Sequence, residues 1–457
     1  MAYFKRSELQ RFVNMREKSP PPVFVGRKSV LSDVLTIAAQ TRQERFGIPG
    51  CTTVIQGAPG AGKSSVLSEI DRLSLSANAR VVKITSDFLQ KHTPKALQRI
   101  AFAAAAEPVK WQEAIQQFGT KWGQRVGRIE LMGFSANLAS VFTDEPPSSL
   151  ITLEERLPSD QWGSTVILAI DEAQRFTGGY DTPHANVLQT IHDAENVQLP
   201  LTLVLAGLGD TQSVIRSMGL THGISPYSLG CFSVEELHEL TEGWSDHFHI
   251  KIGSCRSQID ALMAKTDGWP RHVHWAQQAL AEALLVKGVD GHADKIEDWN
   301  AVQRRSDKLR HGYYDAQYSE VMKYSPQLTA QILQEVGKAE RTGKLLNTSQ
   351  LRQRIKAYCD TDPLGNFEYP PEHTANTFIT HLMHCGALTE NPATGVLTCP
   401  IPSFQNYILR RGGLDPASLE QTLNKEVPLF KKESDDSYAS PEPKPPGYED
   451  DDPDKIP

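Results

Sequence analysis

One short segment constrains the fold of this chain more than any other, because it combines a strand, a glycine-rich loop and a helix. The loop, Gly57–Ser64, reads GAPGAGKS and matches the pattern G-x-x-x-x-G-K-[ST] at every fixed position. The run TTVIQ before it is rich in β-branched residues, and SSVLSEIDRLSL after it has the apolar spacing of a helix. Further strands alternate with helices along the chain, which predicts an α/β fold with a parallel sheet covered by helices.

The loop has the residue types that bind phosphate groups. Glycines let backbone N–H groups surround phosphate oxygens, and the helix that follows directs the positive end of its dipole toward them. We expect Lys63 to bridge the β- and γ-phosphates of a nucleotide and the hydroxyl of Ser64 to coordinate Mg²⁺. A glycine-rich turn without a ligand is the weaker alternative, because a strand and a helix flank this loop. The predicted nucleotide contacts are Gly57, Ala58, Pro59, Gly60, Ala61, Gly62, Lys63, Ser64 and Ser65.

A second apolar run, VILAI, ends in the acidic pair Asp171 and Glu172. Its continuous apolar character predicts a strand that is buried on both faces of the sheet. At the end of such a strand Asp171 would hold Mg²⁺ through water, and Glu172 would act as the base that polarises the attacking water. A strand that ends in two solvated charges is the alternative, and the phosphate loop upstream makes it the weaker one.

The two motifs and their flanks resemble the AAA+ ATPases, in particular the initiator-like branch of origin-recognition type, over about residues 23–285. The segment Val25, Gly26 and Arg27 is similar to the short box that lies against the adenine in that family. The sequence GWPR, which ends at Arg271, is similar to the sensor 2 motif, whose arginine reaches the γ-phosphate from a helical lid. The Asp-Glu-Ala-Gln sequence at the acidic pair is similar to that of transposition and secretion ATPases of the ExeA/TniB type.

This resemblance implies that the chain binds ATP with Mg²⁺ and hydrolyses ATP to ADP and phosphate. It further implies that the nucleotide state controls assembly of the chain with itself, or its recruitment of a partner protein or DNA. ATP would close the lid onto the core through Arg271. The implied catalytic residues are Glu172, Lys63 and Arg271, the implied metal ligands are Ser64 and Asp171, and the nucleotide contacts beyond the loop are Val25, Gly26, Arg27 and Arg271.

The sequence departs from the family where the sensor 1 strand ends. That strand usually ends in Asn, Ser or Thr, whereas Gly207 occupies the expected position here, so that Asp210 or Thr211 would have to serve. An arginine finger is not obvious either. Arg216 is the best candidate to reach the γ-phosphate of a neighbouring subunit, and a solvated arginine on a helix is an equally good interpretation.

The motifs and the changes in composition divide the chain into five segments. Residues 326–411 contain three helical patterns followed by ALTENPATGVLTCPIPSF, which we interpret as a two-stranded wing, and this order is typical of a winged helix. We interpret the stretch 120–148 as an insertion or a mobile segment in which a β-hairpin is plausible. The predicted segments are a basic N-terminal segment (1–22), an AAA+ ATPase core (23–230), a helical lid (231–300), a winged-helix-like domain (301–415) and an acidic disordered tail (416–457).

The third of these helical patterns, Thr374–Cys385, would be the recognition helix, but it contains neither Lys nor Arg. Contacts to phosphates depend on cationic side chains, so docking of a partner protein is favoured over nonspecific nucleic-acid binding, and both over sequence-specific reading of DNA. His381, His384 and Cys385 fit a half-buried helix face better than a metal site. The cations of this domain lie on the preceding segment: Lys338, Arg341, Lys344, Arg352, Arg354 and Lys356.

The composition excludes several classes of protein. The formal net charge is −8, so the chain is not a protein that coats polyanions, and no apolar run approaches the roughly 18 residues of a membrane span. The N-terminus lacks the apolar core of a signal peptide, and the six cysteines include no C-x-x-C pair. These features predict a protein of the reducing cytoplasm.

Three functions remain open from the residues alone. The first is a working ATPase that assembles and turns over. The second is a nucleotide-gated adaptor that holds ATP structurally and docks a partner protein through its winged helix, and the third and weakest is a DNA-binding regulator. The oligomeric state and the pathway, whether transposition, replication, secretion or defence against phage, do not follow from the sequence.

Overall fold

A computed structural model gives the positions of most residues of the chain. The sequence also predicts helices near Lys95–Ala105 and Asn186–Ala194. The first of these and the predicted tail 416–457 lie outside the described residues, as does most of the second. The described residues are 3–15, 20–44, 51–74, 79–85, 128–131, 134–137, 165–176, 201–360, 371–391 and 394–411, together with positions 182, 185, 188, 189 and 192.

A central sheet positions the predicted site residues. Its strands in the described residues are β1 (Thr52–Gln56), β2 (Ala79–Thr85), β3 (Arg128–Leu131), β4 (Phe134–Asn137), β5 (Thr165–Asp171), β6 (Leu201–Gly207) and β7 (Ile224–Ser228). They lie in the order β4-β3-β2-β5-β6-β1-β7. The five strands from β2 to β7 in this order pair in parallel, which confirms the parallel sheet that the sequence predicts.

The strands β3 and β4 extend this sheet at one edge. They form an antiparallel pair in which Leu131 is opposite Phe134, and β3 also pairs antiparallel with β2. The β-hairpin considered plausible within 120–148 is therefore confirmed for the described residues of that stretch. Its other residues lie outside the part of the chain that the structure describes.

Helices pack on the sheet and bury its apolar side chains. α2 lies against β5 and β6, α3 lies against β2, and α2 and α3 contact each other. Val34 and Ala38 of α2 are fully buried with Leu67 and Ile70 of α3 in the core of this layer. The apolar spacing of the sequence predicts a helix from about Lys28 to Thr41, and α2 confirms it. The helices next to the sheet are α2 (Lys28–Glu44), α3 (Lys63–Ser74) and α4 (Thr211–Ser217).

The lid is helical, as predicted for residues 233–285. The first lid helix begins at a capping box, in which the Ser233 hydroxyl accepts a hydrogen bond from the Glu236 N–H and the Glu236 carboxylate accepts one from the Ser233 N–H. Pro270 occupies the first turn of the last lid helix, where its missing N–H costs nothing. The lid helices are α5 (Val234–Phe248), α6 (Arg256–Ala264) and α7 (Pro270–Leu284).

The N-terminal segment adds a helix to the lid. This helix, α1 (Arg6–Val13), packs on α5 and α7. Leu9 and Phe12 are buried there, and the Phe12 ring lies 5.8 Å from the Trp244 ring in an edge-on contact. The prediction for residues 1–22 contains no helix, although the spacing of the two buried side chains on one helical face was an available signal.

The C-terminal elements, residues 299–411, form what we call the third unit. They are α8 (Trp299–Val321), α9 (Pro326–Thr342), β8 (Leu346–Asn347), α10 (Thr348–Asp360), α11 (Pro371–His384), β9 (Thr389–Glu390), β10 (Val396–Thr398) and α12 (Pro402–Arg411). β10 pairs antiparallel with both β8 and β9. The three predicted helices correspond to α9, α10 and α11, whereas α8 and α12 are not predicted from the sequence.

The helix α8 links the lid to the rest of the third unit, because it contacts both α7 and α12. Tyr314 of α8 is 1% exposed, and its hydroxyl lies 3.1 Å from His272 Nε2 and 2.8 Å from Ser403 Oγ. The predicted boundary between residues 300 and 301 falls in the first turn of this helix. Neither α8 nor any other helix in the described part of the chain is long and apolar enough to cross a membrane.

We expect Tyr314→Phe to lower the free energy of unfolding by about 1–2 kcal/mol, because it leaves His272 and Ser403 without a buried partner. Denaturant unfolding measures this loss. Tyr324→Phe is the control, since the Tyr324 side chain is 53% exposed. Equal stabilities of Tyr314→Phe and wild type would show that the hydroxyl does not connect the lid to the third unit.

Candidate functional site

The glycine-rich loop lies between the end of β1 and the start of α3, as predicted. Gly60 and Gly62 have φ values of +89° and +91°, a conformation that residues with side chains rarely adopt. A Cβ atom on Gly60 would also lie 2.9 Å from Cβ of Arg271 in the lid. Glycine is therefore required at position 60 both by the backbone and by the close approach of the lid.

Lys63 is the cation of this loop. Its Nζ donates hydrogen bonds to the carbonyl oxygens of Gly57 and Ala58, at 2.7 and 3.1 Å. Burial lowers the pKa of Lys63 to about 8, and the carboxylates of Asp171 and Glu172 oppose that shift. The ammonium group is thus largely removed from water and held where an anionic ligand would stabilise its charge.

The two predicted metal ligands lie side by side. The Ser64 hydroxyl donates a hydrogen bond to Asp171 Oδ2 at 3.1 Å, and the other carboxylate oxygen of Asp171 accepts one from the Glu172 N–H. A hydroxyl and a carboxylate are hard oxygen donors, and Mg²⁺ commonly uses one or two such protein ligands together with phosphate oxygens. These residues therefore fit a Mg²⁺ ion that is shared with a nucleotide.

Glu172, the predicted base, is held in an ion pair. Its backbone lies in the left-handed region, with φ 58° and ψ 35°, directly before the 3₁₀ turn Ala173–Arg175. Its Oε2 lies 2.9 Å from Nε of Arg175, and both side chains are partly exposed. An exposed pair of this kind contributes about 1 kcal/mol at most, so a ligand or a water molecule can replace it at little cost.

Arg271 lies at the loop, where the sensor 2 resemblance places it. It occupies the first turn of α7, and its side chain approaches Gly60 closely. Its guanidinium carbon lies 4.9 Å from the centroid of the Tyr313 ring and 5.9 Å from that of Trp275. These cation–π contacts connect the arginine to α8, the helix that continues into the third unit.

The box formed by Val25, Gly26 and Arg27 packs against the start of the lid. Val25 is buried, and a Cβ atom on Gly26 would collide with the carboxylate of Glu236. The Arg27 guanidinium donates to the carbonyl of Gly230, and burial lowers the pKa of Arg27. The box is therefore placed by the lid, and Arg27 already has protein partners there.

The loop, the box and the lid enclose a cavity of about 250 Å³. Phe12 and Met15 of the N-terminal segment also line it, although no motif in the sequence marks either residue. Predicted residues that line the cavity are Val25, Arg27, Gly60, Ala61, Gly62, Lys63, Ser64, Ser65 and Arg271. Most of the predicted nucleotide contacts thus share one cavity.

The candidates for the sensor 1 position are occupied by other interactions. Asp210 is almost fully buried, and its Oδ2 lies 2.6 Å from Nε2 of His384. Thr211 is fully buried, and its hydroxyl donates to the Leu208 carbonyl at 2.6 Å. Arg216, the candidate finger, is exposed on α4. Neither sensor candidate is available to a ligand in this arrangement.

The third unit contacts the phosphate loop directly, which the sequence analysis does not predict. Gln56 Nε2 donates to the carbonyl of Glu390 at 2.9 Å. A Cβ atom on Gly386 would lie 2.4 Å from Cδ of Pro59. The end of α11 therefore lies against the loop, and His381, one turn earlier, contacts the carbonyl of Glu320 instead.

The six cations predicted as a basic segment are all exposed on α9, α10 and the residues between these helices. Arg354 pairs with Glu335 at 2.7 Å. These side chains form a solvated face in the third unit, separate from the residues that contact the phosphate loop.

Comparison with known proteins finds solved structures that are similar to this chain, but no similarity at the level of a protein family. No model of a protein family matches the chain, and no curated protein matches it. A Walker-type ATPase of Pyrococcus abyssi is 16% identical, with a TM-score of 0.49, and the match covers 87% of this chain and 99% of the other. The ORC2 protein of Aeropyrum pernix is 14% identical, with a TM-score of 0.48 and coverage of 91% and 98%. A RuvB variant of Thermotoga maritima is 15% identical, with a TM-score of 0.40 and coverage of 84% and 95%.

The fold follows from the chain itself. A parallel sheet, a glycine-rich loop between β1 and α3, and an acidic end on β5 define the α/β fold of the P-loop NTPases. The predicted α/β fold class, a parallel sheet with a P-loop and a helical lid, is confirmed.

The depressed pKa of Lys63 predicts how the affinity for a polyphosphate depends on pH. Phosphate favours the ammonium form, so binding raises this pKa, and the affinity is constant below pH about 8 and falls by up to about tenfold per unit above it. Titration calorimetry with ADP over this range measures the fall. Lys63→Arg is the control, because a guanidinium does not titrate there. A flat profile for wild type, or an equally steep one for Lys63→Arg, would contradict the assignment.

Proposed function

We propose that this chain binds ATP with Mg²⁺ in the cavity between the phosphate loop and the lid, and hydrolyses ATP to ADP and phosphate. The observation that carries the proposal is that the predicted cation, metal ligands, base and lid arginine, which come from three separate parts of the sequence, lie around one loop. They are Lys63, Ser64 with Asp171, Glu172 and Arg271.

Each residue has a role that its position supports. Lys63 would exchange its two carbonyl partners for the β- and γ-phosphates, and the N–H groups of the loop would surround the phosphate oxygens. Ser64 and Asp171 would hold the Mg²⁺ ion, which neutralises charge on the phosphate oxygens. Glu172 would leave Arg175 and accept a proton from the attacking water.

We propose further that the chain is an AAA+ ATPase of the initiator-like type, with an ExeA/TniB-like acidic motif and a winged helix in its third unit. The order of the four motifs supports this family. The sequence of one helix, a short strand, two helices and a β-hairpin from α9 to β10 supports the winged helix.

The nucleotide state would control the third unit, and through it assembly with other copies or the recruitment of a partner protein. Two routes support this coupling. Gly386 of the third unit lies against Pro59 of the loop that would bind the phosphates, and the Glu390 carbonyl accepts a hydrogen bond from Gln56, the residue before that loop. Arg271, which would move toward the γ-phosphate, stacks on Tyr313 of α8. A shift of the loop or of Arg271 would therefore displace the third unit.

A nucleotide-gated adaptor that does not hydrolyse ATP is the alternative, and two observations favour it. Gly207 provides no polar side chain at the end of β6, and Glu172 is paired with Arg175 rather than directed freely at the site. In the adaptor, ATP would be held structurally while the third unit docks a partner. A DNA-binding role is supported only by the exposed cations of α9 and α10, among them Arg352.

Glu172→Gln separates the two functions. If the chain is an ATPase, this variant keeps its affinity for ATP and loses phosphate release by about 100-fold or more, because the general base is gone. Phosphate release and nucleotide affinity are measured together. Glu297→Gln, which changes an exposed glutamate before α8, is the control. Stoichiometric ATP binding without turnover by wild type would instead establish the adaptor.

His384→Ala tests the contact between the third unit and the core. The hydrogen bond with Asp210 raises the pKa of His384, against the opposing effects of burial and of Arg175. This contact therefore stabilises the fold fully below the ordinary histidine pKa of about 6.5, and the contribution disappears as pH rises through the raised pKa. We expect the loss of stability in His384→Ala, about 1 kcal/mol, to shrink as pH rises.

His381→Ala is the matched control, because it lies on the same helix and has the opposite sign. Burial lowers the pKa of His381, so its neutral form is the one that the fold stabilises. The cost of this substitution should grow as pH rises. Urea unfolding at several pH values measures both series, and parallel pH dependence of the two variants would refute the role given to the His384–Asp210 pair.

A further inference from the structure

The last residue of β6 lies between the phosphate loop and the predicted base. Gly207 is opposite Gln56 in the parallel pairing of β1 and β6, and its carbonyl accepts a hydrogen bond from the Gly57 N–H. On the other side Ile170 is opposite Leu205, which brings Gly207 level with Glu172. A polar side chain at this point would face both the γ-phosphate and the attacking water, and glycine supplies none.

The space beside Gly207 is nevertheless filled by polar groups from its neighbours. A Cβ atom on Gly207 would lie 2.2 Å from Oγ1 of Thr211 and 2.5 Å from Oε1 of Gln174. The backbone N of Gln174 would also be only 3.0 Å away. Glycine is therefore required at position 207, because the side chains of Thr211 and Gln174 occupy the space that a Cβ atom would need.

Of these two groups, the Gln174 amide is the one that can reach a ligand. Thr211 is fully buried, and its hydroxyl already donates to the Leu208 carbonyl. Gln174 is half-buried, and its Oε1 accepts a hydrogen bond from the Leu208 N–H at 3.0 Å. That bond fixes the amide plane, and the Nε2 donor has no partner among the residues that the structure describes.

Asp210 is another polar residue near this end of β6, but it is poorly suited to contact the γ-phosphate or the attacking water. Its carboxylate would repel the γ-phosphate, and one of its oxygens is paired with His384. A neutral amide with a free donor avoids this repulsion. The donor belongs to the turn Ala173–Arg175, which directly follows Glu172, so one short segment would position both the base and the donor.

We propose that Gln174 supplies the sensor 1 group of this chain, an inference that rests on the proposed hydrolysis. Its Nε2–H donates to a γ-phosphate oxygen or to the attacking water, while Glu172 takes a proton from that water. The water oxygen then bonds to the γ-phosphorus, and the bond from that phosphorus to the bridging oxygen breaks, which leaves ADP and phosphate. The chain thus replaces a side chain on β6 with one that follows β5.

Gln174→Glu removes the donor and adds a negative charge, and its comparison with Gln174→Ala, which adds no charge, separates the two effects. The carboxylate keeps the size of the side chain and the acceptor for the Leu208 N–H, but it removes the Nε2 donor. We expect kcat to fall about 100-fold or more, as when a donor to a transition state is lost. Affinity for ADP should stay within about threefold of wild type, whereas affinity for ADP with aluminium fluoride, a mimic of the transferred phosphate, should fall by a factor similar to that of kcat.

Two variants serve as controls. Gln174→Ala removes both the donor and the acceptor, and it should lose turnover as Gln174→Glu does. Gln350→Glu makes the same chemical change at a glutamine whose Oε1 also accepts a backbone N–H, that of Asn347 in the third unit. It should leave kcat and both affinities unchanged. Thermal unfolding of each variant shows whether the fold is intact.

The outcomes separate the inference from the function on which it rests. One outcome would contradict the inference: Gln174→Glu keeps both turnover and binding of ADP with aluminium fluoride within about threefold of wild type, whereas Gln174→Ala loses them. Gln174 would then only stabilise the turn through its acceptor. If wild type hydrolyses ATP and Glu172→Gln does not, the proposed function stands in either case. If wild type itself shows no turnover, the proposed hydrolysis fails and the inference fails with it.

Discussion

The backbone of the phosphate loop is packed so closely that side chains are excluded at several of its positions, and the other units of the molecule are arranged around that packing. A Cβ atom on Gly57 would lie 2.8 Å from the carbonyl oxygen of Leu229, and one on Gly60 would meet Arg271 of the lid. The third unit approaches the same loop through Gly386, which lies against Pro59. The sheet, the lid and the third unit thus share one contact region, and a ligand that moves the loop acts on all of them.

This close packing also explains the charge state of the loop. Lys63 has little access to water, so its ammonium group depends on two carbonyl oxygens and on the nearby carboxylates for its stabilisation. Carbonyl dipoles stabilise a buried cation less than a full negative charge does. A phosphate is therefore a better partner for Lys63 than those that the protein provides, which favours an anionic ligand at this position.

The elements that the sequence predicts well are those whose pattern is local. β1, the loop and α3 follow from β-branching, glycines and helical spacing in about twenty adjacent residues, and β5 follows from its continuous apolar run. β7 was not predicted, since ISPYS contains a proline and is not apolar, and such a strand is tolerated because it lies at the edge of the sheet. α8 was missed because its exposed faces are polar and few of its residues are buried.

The contacts between units could not be predicted, because they join residues that are far apart in the sequence. Gln56 with Glu390 and Asp210 with His384 are examples, and neither residue of a pair carries a local signal for the other. For the same reason the role of Gly207 was open. Its missing side chain is explained only by the position of Gln174, which the turn after β5 determines.

The charged groups Lys63, Asp171 and Glu172 all have partners within the protein, and this decides how a nucleotide can act. Glu172 is paired with Arg175 on the surface, where the ion pair contributes about 1 kcal/mol at most. The ATPase and the adaptor differ mainly in whether Glu172 leaves this pair when ATP binds. Because the Glu172–Arg175 pair is weak, the γ-phosphate of a bound ATP would be able to separate the two side chains. It could do so through one new contact, either by attracting Arg175 or by repelling Glu172. The rearrangement that separates the proposed adaptor from the proposed ATPase is therefore small in free energy, and turnover would further depend on whether a donor such as Gln174 fixes the water once Glu172 is released.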